Sequence, residues 1–241
     1  MYFFIPFIVL LIADQAVKHL IRTTMVEGQS IPVIENIFHI TYIENPGAAF
    51  GILVLVWCIV QSAIKGNGWG IASGIVYGTS VILLYTMSCI YHGLRPNMGK
   101  KVMQILDHCT IYYLIAGTYT PVLLCGLRPQ YPDWAWVLFG IVWGCAIAAT
   151  VFTAIDLKKY SKLSMICYLA MGWCVVIALK PTIASVPAPA LLWILAGGIV
   201  YTVGAVLYGL GKTRRWMHSI FHLCCIFGTV FQFVGIIGYV L

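Results

Sequence analysis

The chain has 241 residues, of which 61% are hydrophobic and only 9% are charged, and its mean hydropathy is +0.95. A soluble domain is typically about a quarter charged, so this composition excludes a soluble globular protein and predicts an integral membrane protein. The net charge of +7 does not indicate a nucleic-acid partner, because the basic residues are dispersed among short loops.

The apolar runs predict an all-α fold, a polytopic bundle of membrane-spanning helices. A spanning helix needs about 20 mostly apolar residues. By that measure the sequence contains eight predicted spans, at roughly 2–21, 47–64, 68–92, 105–127, 134–153, 163–180, 188–210 and 217–240. The first run lacks a preceding basic residue and a following A-x-A-like cleavage site, which favours an uncleaved span over a signal peptide.

Residues 22–46 differ from the other segments. They contain Glu27, Glu35 and Glu44, alternate apolar with polar residues, and end at an Asn-Pro-Gly turn that starts at Asn45. This pattern predicts a polar, partly extended segment rather than a span.

The distribution of basic residues orients the bundle. Loops 93–104, 154–162 and 211–216 hold nine Lys and Arg residues, whereas the alternate loops hold three. Cytoplasmic loops of membrane proteins carry such an excess. The three basic loops are therefore predicted to be cytoplasmic and the carboxyl terminus to lie outside. With eight spans, the amino terminus also lies outside and residues 22–46 are cytoplasmic.

Apart from loop charges and Lys180, five ionisable residues from residue 66 onward lie in spans or at their ends: His92, Asp107, His108, His218 and His222. All five fall on the predicted cytoplasmic side, although they come from three distant segments. Ionisable side chains inside a membrane are costly and mark functional sites. These residues are therefore the candidate site.

The spacing within this group indicates a metal site. His218 and His222 project from one helix face at positions i and i+4, and His92 supplies a third nitrogen. Three protein ligands and a water form the catalytic arrangement of zinc, in which Asp107 would orient the water or act as a base. Ser88, one turn before His92, would be a supporting hydrogen-bond partner.

Two alternatives accompany this interpretation. Histidines are common at the lipid interface, and an H-x-x-x-H pair also occurs by chance. Imidazole ligands, moreover, suit copper, iron and nickel as well as zinc. A thiolate site is not indicated, because the nine cysteines include no C-x-x-C pair and nearly all fall in apolar runs.

Several motifs resemble the hemolysin III family, which belongs with the progestin and adiponectin receptor group. They are SCIYH at 88–92, LDH at 106–108, IAGTYTP at 115–121, MGW at 171–173, AGG at 196–198 and HSIFH at 218–222. The resemblance covers about residues 51–241. It implies seven helices with the carboxyl terminus outside, and zinc held by His92, His218 and His222, with Asp107 on the metal-bound water and Ser88 nearby. The wider superfamily includes hydrolases of lipid amides, and bacterial members are named for a pore-forming, cytolytic activity.

Residues 1–50 resemble the start of lipoprotein signal peptidase, a four-helix membrane aspartyl protease of the bacterial inner membrane. Asp14, Lys18 and Asn45 match its early motifs, and ENPGAAFG follows from Glu44. Its catalytic aspartates come later, in motifs with no counterpart here. Because aspartyl proteases need two carboxylates that share a proton, the chain is not expected to be an active signal peptidase. That family also places the segment matching 22–46 outside the cytoplasm, opposite to the prediction from the basic loops.

The sequence therefore predicts two portions, a signal peptidase-like fragment at 1–50 and a seven-helix domain at 51–241, in the bacterial inner membrane. The first hypothesis for function is a zinc-dependent hydrolase of lipid amides, with membrane lipids as partners. The alternatives are a pore-forming protein or a receptor-like protein in which zinc is structural. An open zinc position beside a lipid-accessible cavity would favour the hydrolase. No feature of the sequence indicates the oligomeric state.

Overall fold

A computed structural model describes residues 4–34, 38–210 and 216–241. Within these residues the chain forms nine α-helices and one two-stranded antiparallel sheet. The helices are α1 (Phe4–Thr24), α2 (Pro46–Ile64), α3 (Gly68–Gly93), α4 (Met98–Pro121), α5 (Pro132–Ile155), α6 (Ser161–Gly172), α7 (Leu179–Ser185), α8 (Ala188–Leu210) and α9 (Met217–Tyr239). The strands are β1 (Ser30–Ile34) and β2 (Phe38–Thr41).

Seven segments of the described chain are helical, long and apolar enough to cross a membrane. They are Pro46–Ile64, Gly68–Gly93, Met98–Leu127, Pro132–Ile155, Ser161–Ser185, Ala188–Gly209 and Met217–Tyr239. Large apolar side chains cover their outer faces; Ile147 and Leu192, for example, are 56% and 67% exposed. The predicted all-α, polytopic membrane bundle is thus confirmed.

Helix α1 occupies the predicted first span but is not one of these seven segments. The side chains of its first eight residues lie outside the described part of the chain. Beyond them, Ile12, Val17 and Leu20 are at least half exposed, with values of 62%, 54% and 60%. The eighth span therefore stays a prediction.

Two predicted span ends are wrong by several residues, for identifiable reasons. Helix α4 begins at Met98 rather than near 105, because the Asn97 side chain caps it by accepting the backbone N–H of Lys100 at 2.7 Å. The span predicted to end at residue 180 continues to Ser185. Pro181 lies in the first turn of α7, where a missing N–H costs no helical hydrogen bond.

The span that contains α6 and α7 is broken in its middle. Helix α6 ends at Gly172, a short 3-10 helix runs from Cys174 to Ala178, and α7 follows. The hydroxyl of Tyr119 on α4 donates to the Gly172 carbonyl at 2.8 Å and accepts the Val175 N–H at 3.2 Å. A membrane offers no water to backbone groups that a broken helix leaves free. The Tyr119 hydroxyl therefore forms hydrogen bonds with a backbone group on each side of this break.

Buried side chains form two clusters. One includes Val54, Tyr77 and Phe233 and joins α2, α3 and α9. The other includes Tyr112 and Leu138 and joins α4 to α5 and α6. Close helix contact around these clusters depends on small residues, as is typical of membrane bundles.

The strongest example of that close contact lies between α2 and α3. A β-carbon added at Gly51 would lie 2.8 Å from the backbone nitrogen of Ile82, and one added at Gly78 would overlap the backbone of Leu55. Since lipid rather than water surrounds membrane helices, the close approach of the two backbones, rather than water exclusion, holds them together.

The predicted extended segment forms a β-hairpin. Strands β1 and β2 pair with Ser30 opposite Thr41, and their hydroxyl oxygens lie 2.9 Å apart. The chain then runs along the last turns of α3, where the thiol of Cys89 donates to the Glu44 carbonyl at 3.2 Å. A β-carbon at Gly93 would lie 2.6 Å from Ile43 Cδ1. The hairpin therefore joins the bundle at the end of α3 that carries His92.

Candidate metal centre

Three histidines from two helices converge at one end of the bundle, here called the histidine end. His92 lies in the last turn of α3, and His218 and His222 lie in the first two turns of α9. One ring nitrogen from each of the three lies within 4.8 Å of the others. The Nε2 atoms of His218 and His222 are 3.0 Å apart. The structure thus brings together the ligands that the sequence singles out.

The arrangement fits a zinc ion. Zinc binds imidazole nitrogen at about 2.0–2.1 Å, so two nitrogens on one ion lie within about 4.2 Å of each other. The three nitrogens lie within 4.8 Å of one another, so shifts of under an ångström bring them to that spacing, and neutral imidazole is a preferred zinc ligand. His92 and His218 are exposed and His222 is half-buried, so the nitrogens can be reached from outside the bundle. In the described part of the chain, no fourth Cys, His, Asp or Glu joins this group.

Asp107 lies beside the histidines but is not part of the converging group. It is on α4, in the third turn of the helix, and is only 9% exposed. Ser88 faces its carboxylate, and the Nδ1 atom of His108 lies 3.9 Å from Oδ2. A buried carboxylate needs such partners. The sequence predicts this neighbourhood of Asp107, Ser88 and the histidines, and the structure assembles it.

The neighbouring His108 forms a hydrogen-bonded pair that sequence reasoning missed. Its Nδ1 atom donates to the Gln104 carbonyl at 2.8 Å, which leaves Nε2 to accept from the Tyr208 hydroxyl at 3.4 Å. The Tyr208 ring also lies against His218, with the ring centres 5.9 Å apart. The sequence includes His108 among the intramembrane ionisable residues, but no spacing rule links α4 to Tyr208 on α8.

Two turns below His222, a buried hydroxyl network fixes the position of α9. The Thr229 hydroxyl donates to the Cys225 carbonyl at 2.9 Å. It therefore accepts from the hydroxyls of Tyr85 on α3, at 2.8 Å, and Tyr201 on α8, at 2.6 Å. One threonine hydroxyl has one donor and two acceptor positions, so all are used. This network ties the histidine-bearing helices α3 and α9 together.

A cavity of about 610 Å³ extends from the histidine end into the bundle. Its lining at this end includes the polar side chains of Ser88, Asp107, His218 and His222. Most of the remaining lining is apolar and comes from α3, α4, α8 and α9 and from the broken span of α6 and α7. Ligand pockets are typically lined in this way, by apolar side chains with a few convergent polar groups. No pattern along the sequence predicts this cavity.

The comparisons with known proteins divide the chain in two. A family model described as "Haemolysin-III related" matches residues 45–233. "Hemolysin-3" of Bacillus cereus is 36% identical over 195 residues, which cover 81% of this chain and 87% of that protein. The "Hemolysin-3 homolog" of Bacillus subtilis is 36% identical over 193 residues, which cover 80% and 89% of the two proteins.

The amino-terminal portion matches a different protein. A "Lipoprotein signal peptidase" of Pelotomaculum thermopropionicum is 51% identical over 53 residues. That match covers 22% of this chain and 35% of the peptidase, so about a third of the peptidase is represented. The histidines, Asp107 and Ser88 all lie within the other match, that of residues 45–233.

Proposed function

Because the chain belongs to the haemolysin-III-related family of integral membrane proteins, we propose that its three histidines bind zinc and that it hydrolyses a lipid amide. The observation that carries this proposal is that two features lie side by side. Three imidazoles converge within 4.8 Å, and beside them opens an apolar cavity of about 610 Å³. A binding protein needs only the cavity, and a structural metal site needs only the ligands.

The ligand set supports an open metal site. Three histidines leave one tetrahedral position without a protein ligand, as in catalytic zinc sites, whereas structural sites hold four protein ligands. A zinc ion held here would supply a Lewis acid and a water that ionises near neutral pH. Among the described residues that line the cavity, Asp107 is the one acidic side chain.

In the proposed reaction, Asp107 moves the proton that amide hydrolysis requires. As a water adds to the amide carbon, one carboxylate oxygen accepts its proton and then delivers it to the departing nitrogen as the carbon–nitrogen bond breaks. Ser88 faces the carboxylate, and burial keeps bulk water from competing for it. The apolar wall beyond the histidines accommodates the hydrocarbon part of the lipid.

We also place the histidine end on the cytoplasmic face of the bacterial inner membrane, with the carboxyl terminus outside. Nine basic residues in three alternate loops support this orientation. A reporter that is active only outside the cytoplasm, fused after Leu241, tests it. Activity of that fusion is expected, and its absence would reverse the orientation.

The central experiment combines metal analysis with a hydrolysis assay on the purified chain. We expect one zinc ion per chain and release of fatty acid from N-acyl lipids in a panel of lipid amides. Removal of the metal with a chelator should abolish release, and added zinc should restore it. A protein that binds one zinc ion but cleaves no lipid amide would contradict the hydrolase and retain the metal site.

A second candidate function is disruption of membranes, supported by the name "Hemolysin-3" of the Bacillus cereus relative. It predicts leakage of dye from vesicles that contain the protein, whether or not Asp107 is intact. Leakage by both the wild-type protein and the Asp107→Asn variant, without hydrolysis by either, would select this function.

A further inference from the structure

Away from the histidines, the cavity is lined by a polar side chain that the proposed reaction does not use. Gln232 on α9 lines the cavity there, among apolar neighbours such as Leu191 and Ile194. Thr118 and Thr182 line the same region, but each donates its hydroxyl to a carbonyl of its own helix at 2.8 Å. Among the described residues, no protein group is hydrogen-bonded to the Gln232 amide. An amide in an apolar, membrane-embedded cavity is costly without such a partner.

The packing of α8 leaves space for this side chain. A β-carbon added at Gly197 would lie 2.6 Å from Gln232 Cγ and 2.8 Å from the Gly228 carbonyl oxygen. Any larger residue at 197 would therefore push the Gln232 side chain aside or separate α8 from α9. The absence of a side chain at Gly197 allows the glutamine to lie across α8 and reach the cavity.

The position of Gln232 along α9 sets the distance between its side chain and the histidines. His218, His222, Cys225 and Gln232 all line the cavity, and they recur at spacings that keep them on one helix face. Gln232 follows His222 by ten residues, which corresponds to about 15 Å along a helix. A molecule whose reacting group lies at the histidines would reach Gln232 with a point about 15 Å along its chain.

We propose that the cavity selects a lipid whose hydrocarbon chain carries a hydroxyl group about 15 Å from the reacting amide, and that Gln232 hydrogen-bonds to this hydroxyl. A carboxamide offers both donors and an acceptor, and a hydroxyl matches both at once. A charged group is not expected there, since among the cavity-lining residues of that region none is charged. The proposal rests on the proposed function for the position of the reacting amide.

The test uses two N-acyl amides of equal chain length, one unmodified and one with a single hydroxyl about 15 Å from the amide. Binding of each is measured with the zinc-loaded Asp107→Asn protein in lipid nanodiscs, so that the probes are not consumed. The hydroxylated probe should bind about 3- to 10-fold more tightly, the range expected for one additional hydrogen bond. Adding Gln232→Leu should remove this preference, while adding Thr118→Val should retain it, because the Thr118 hydroxyl is already bonded within its helix.

Two controls test the position of the hydroxyl on the probe and the folding of the Gln232 variants. A third probe, with its hydroxyl near the amide, should bind no more tightly than the unmodified probe. Gln232→Met keeps the length of the side chain without its amide, and it should repeat the Gln232→Leu result with an unchanged unfolding temperature. Equal binding of all three probes, no binding of any probe, or a preference that survives both substitutions would overturn the proposal.

The outcomes also separate this proposal from the hydrolase. A Gln232-dependent binding preference, with no hydrolysis of either probe by the wild-type protein, would retain the selective cavity and reject the hydrolase. Equal binding with hydrolysis of both probes would retain the hydrolase and reject the role of Gln232.

Discussion

The amino-terminal portion, residues 1–45, and the seven-helix bundle that follows both match known membrane proteins, but their charged residues have different surroundings. In the amino-terminal portion, Asp14 pairs with Lys18 at 2.7 Å, and the two side chains are 46% and 57% exposed. In the bundle, Asp107 is buried beside three histidines from two other helices. The first arrangement satisfies a charge locally, whereas the second gathers groups from distant segments.

This difference shows why a motif alone is weak evidence for an activity. The signal peptidase-like motif around Asp14 survives, but the later motifs that carry the required pair of catalytic carboxylates have no counterpart here. The hemolysin III-like motifs are all present, and the fold brings the histidines of two of them together beside Asp107 of a third. Each prediction below tests one side of this comparison.

The largest effect is expected for the ligands in the bundle. His222→Ala removes one of three nitrogens, and two remaining imidazoles hold zinc far more weakly, so zinc content should fall from one ion per chain to nearly none. His39→Ala, which changes an exposed histidine of the hairpin, is the matched control and should keep full zinc content. Elemental analysis after dialysis measures both. Full zinc content in the His222→Ala protein would remove it from the ligand set.

The next effect concerns Asp107, where chemistry can be separated from metal binding. Asp107→Asn retains the shape of the side chain but cannot accept a proton, so the hydrolysis rate should fall about 10²- to 10⁴-fold. Zinc content should not change, because Asp107 is not among the converging ligands. Rates and metal content are measured on the same preparation. Unchanged hydrolysis would remove Asp107 from the mechanism.

A smaller effect tests the packing that holds the bundle together. Gly78→Ala places a methyl group against the backbone of Leu55 and should lower the free energy of unfolding by about 1–3 kcal/mol. Gly144→Ala is the control, since a β-carbon there meets nothing within 4 Å. Thermal unfolding in detergent compares the two variants. Equal unfolding temperatures would show that α2 and α3 can separate without loss of stability.

The sequence predicts the helices and the convergence of the three histidines for a common reason. Span positions follow from the lengths of apolar runs, and the meeting of His92 with His218 follows from their shared depth at helix ends. Both are properties that can be counted along the chain. The Tyr119 bridge at the broken span, the tyrosine network on Thr229 and the cavity depend instead on which helices are neighbours. No spacing within a single segment contains that information.

The smallest effect, close to zero, is expected in the amino-terminal portion. Asp14→Asn breaks an exposed ion pair, and such pairs contribute between about 0 and 1 kcal/mol, so zinc content, hydrolysis and unfolding temperature should stay nearly constant.

Complementation is a stronger test of the amino-terminal portion, because its motifs match those of signal peptidase closely. A single family-matched carboxylate cannot act as both the acid and the base of an aspartyl protease pair. The chain should therefore fail to restore prolipoprotein cleavage in a strain that lacks signal peptidase, while an intact peptidase expressed from the same vector succeeds. Restored cleavage that is lost with Asp14→Asn would show that Asp14 acts together with a carboxylate from another part of the chain. The amino-terminal portion would then, like the bundle, build an active site from distant segments.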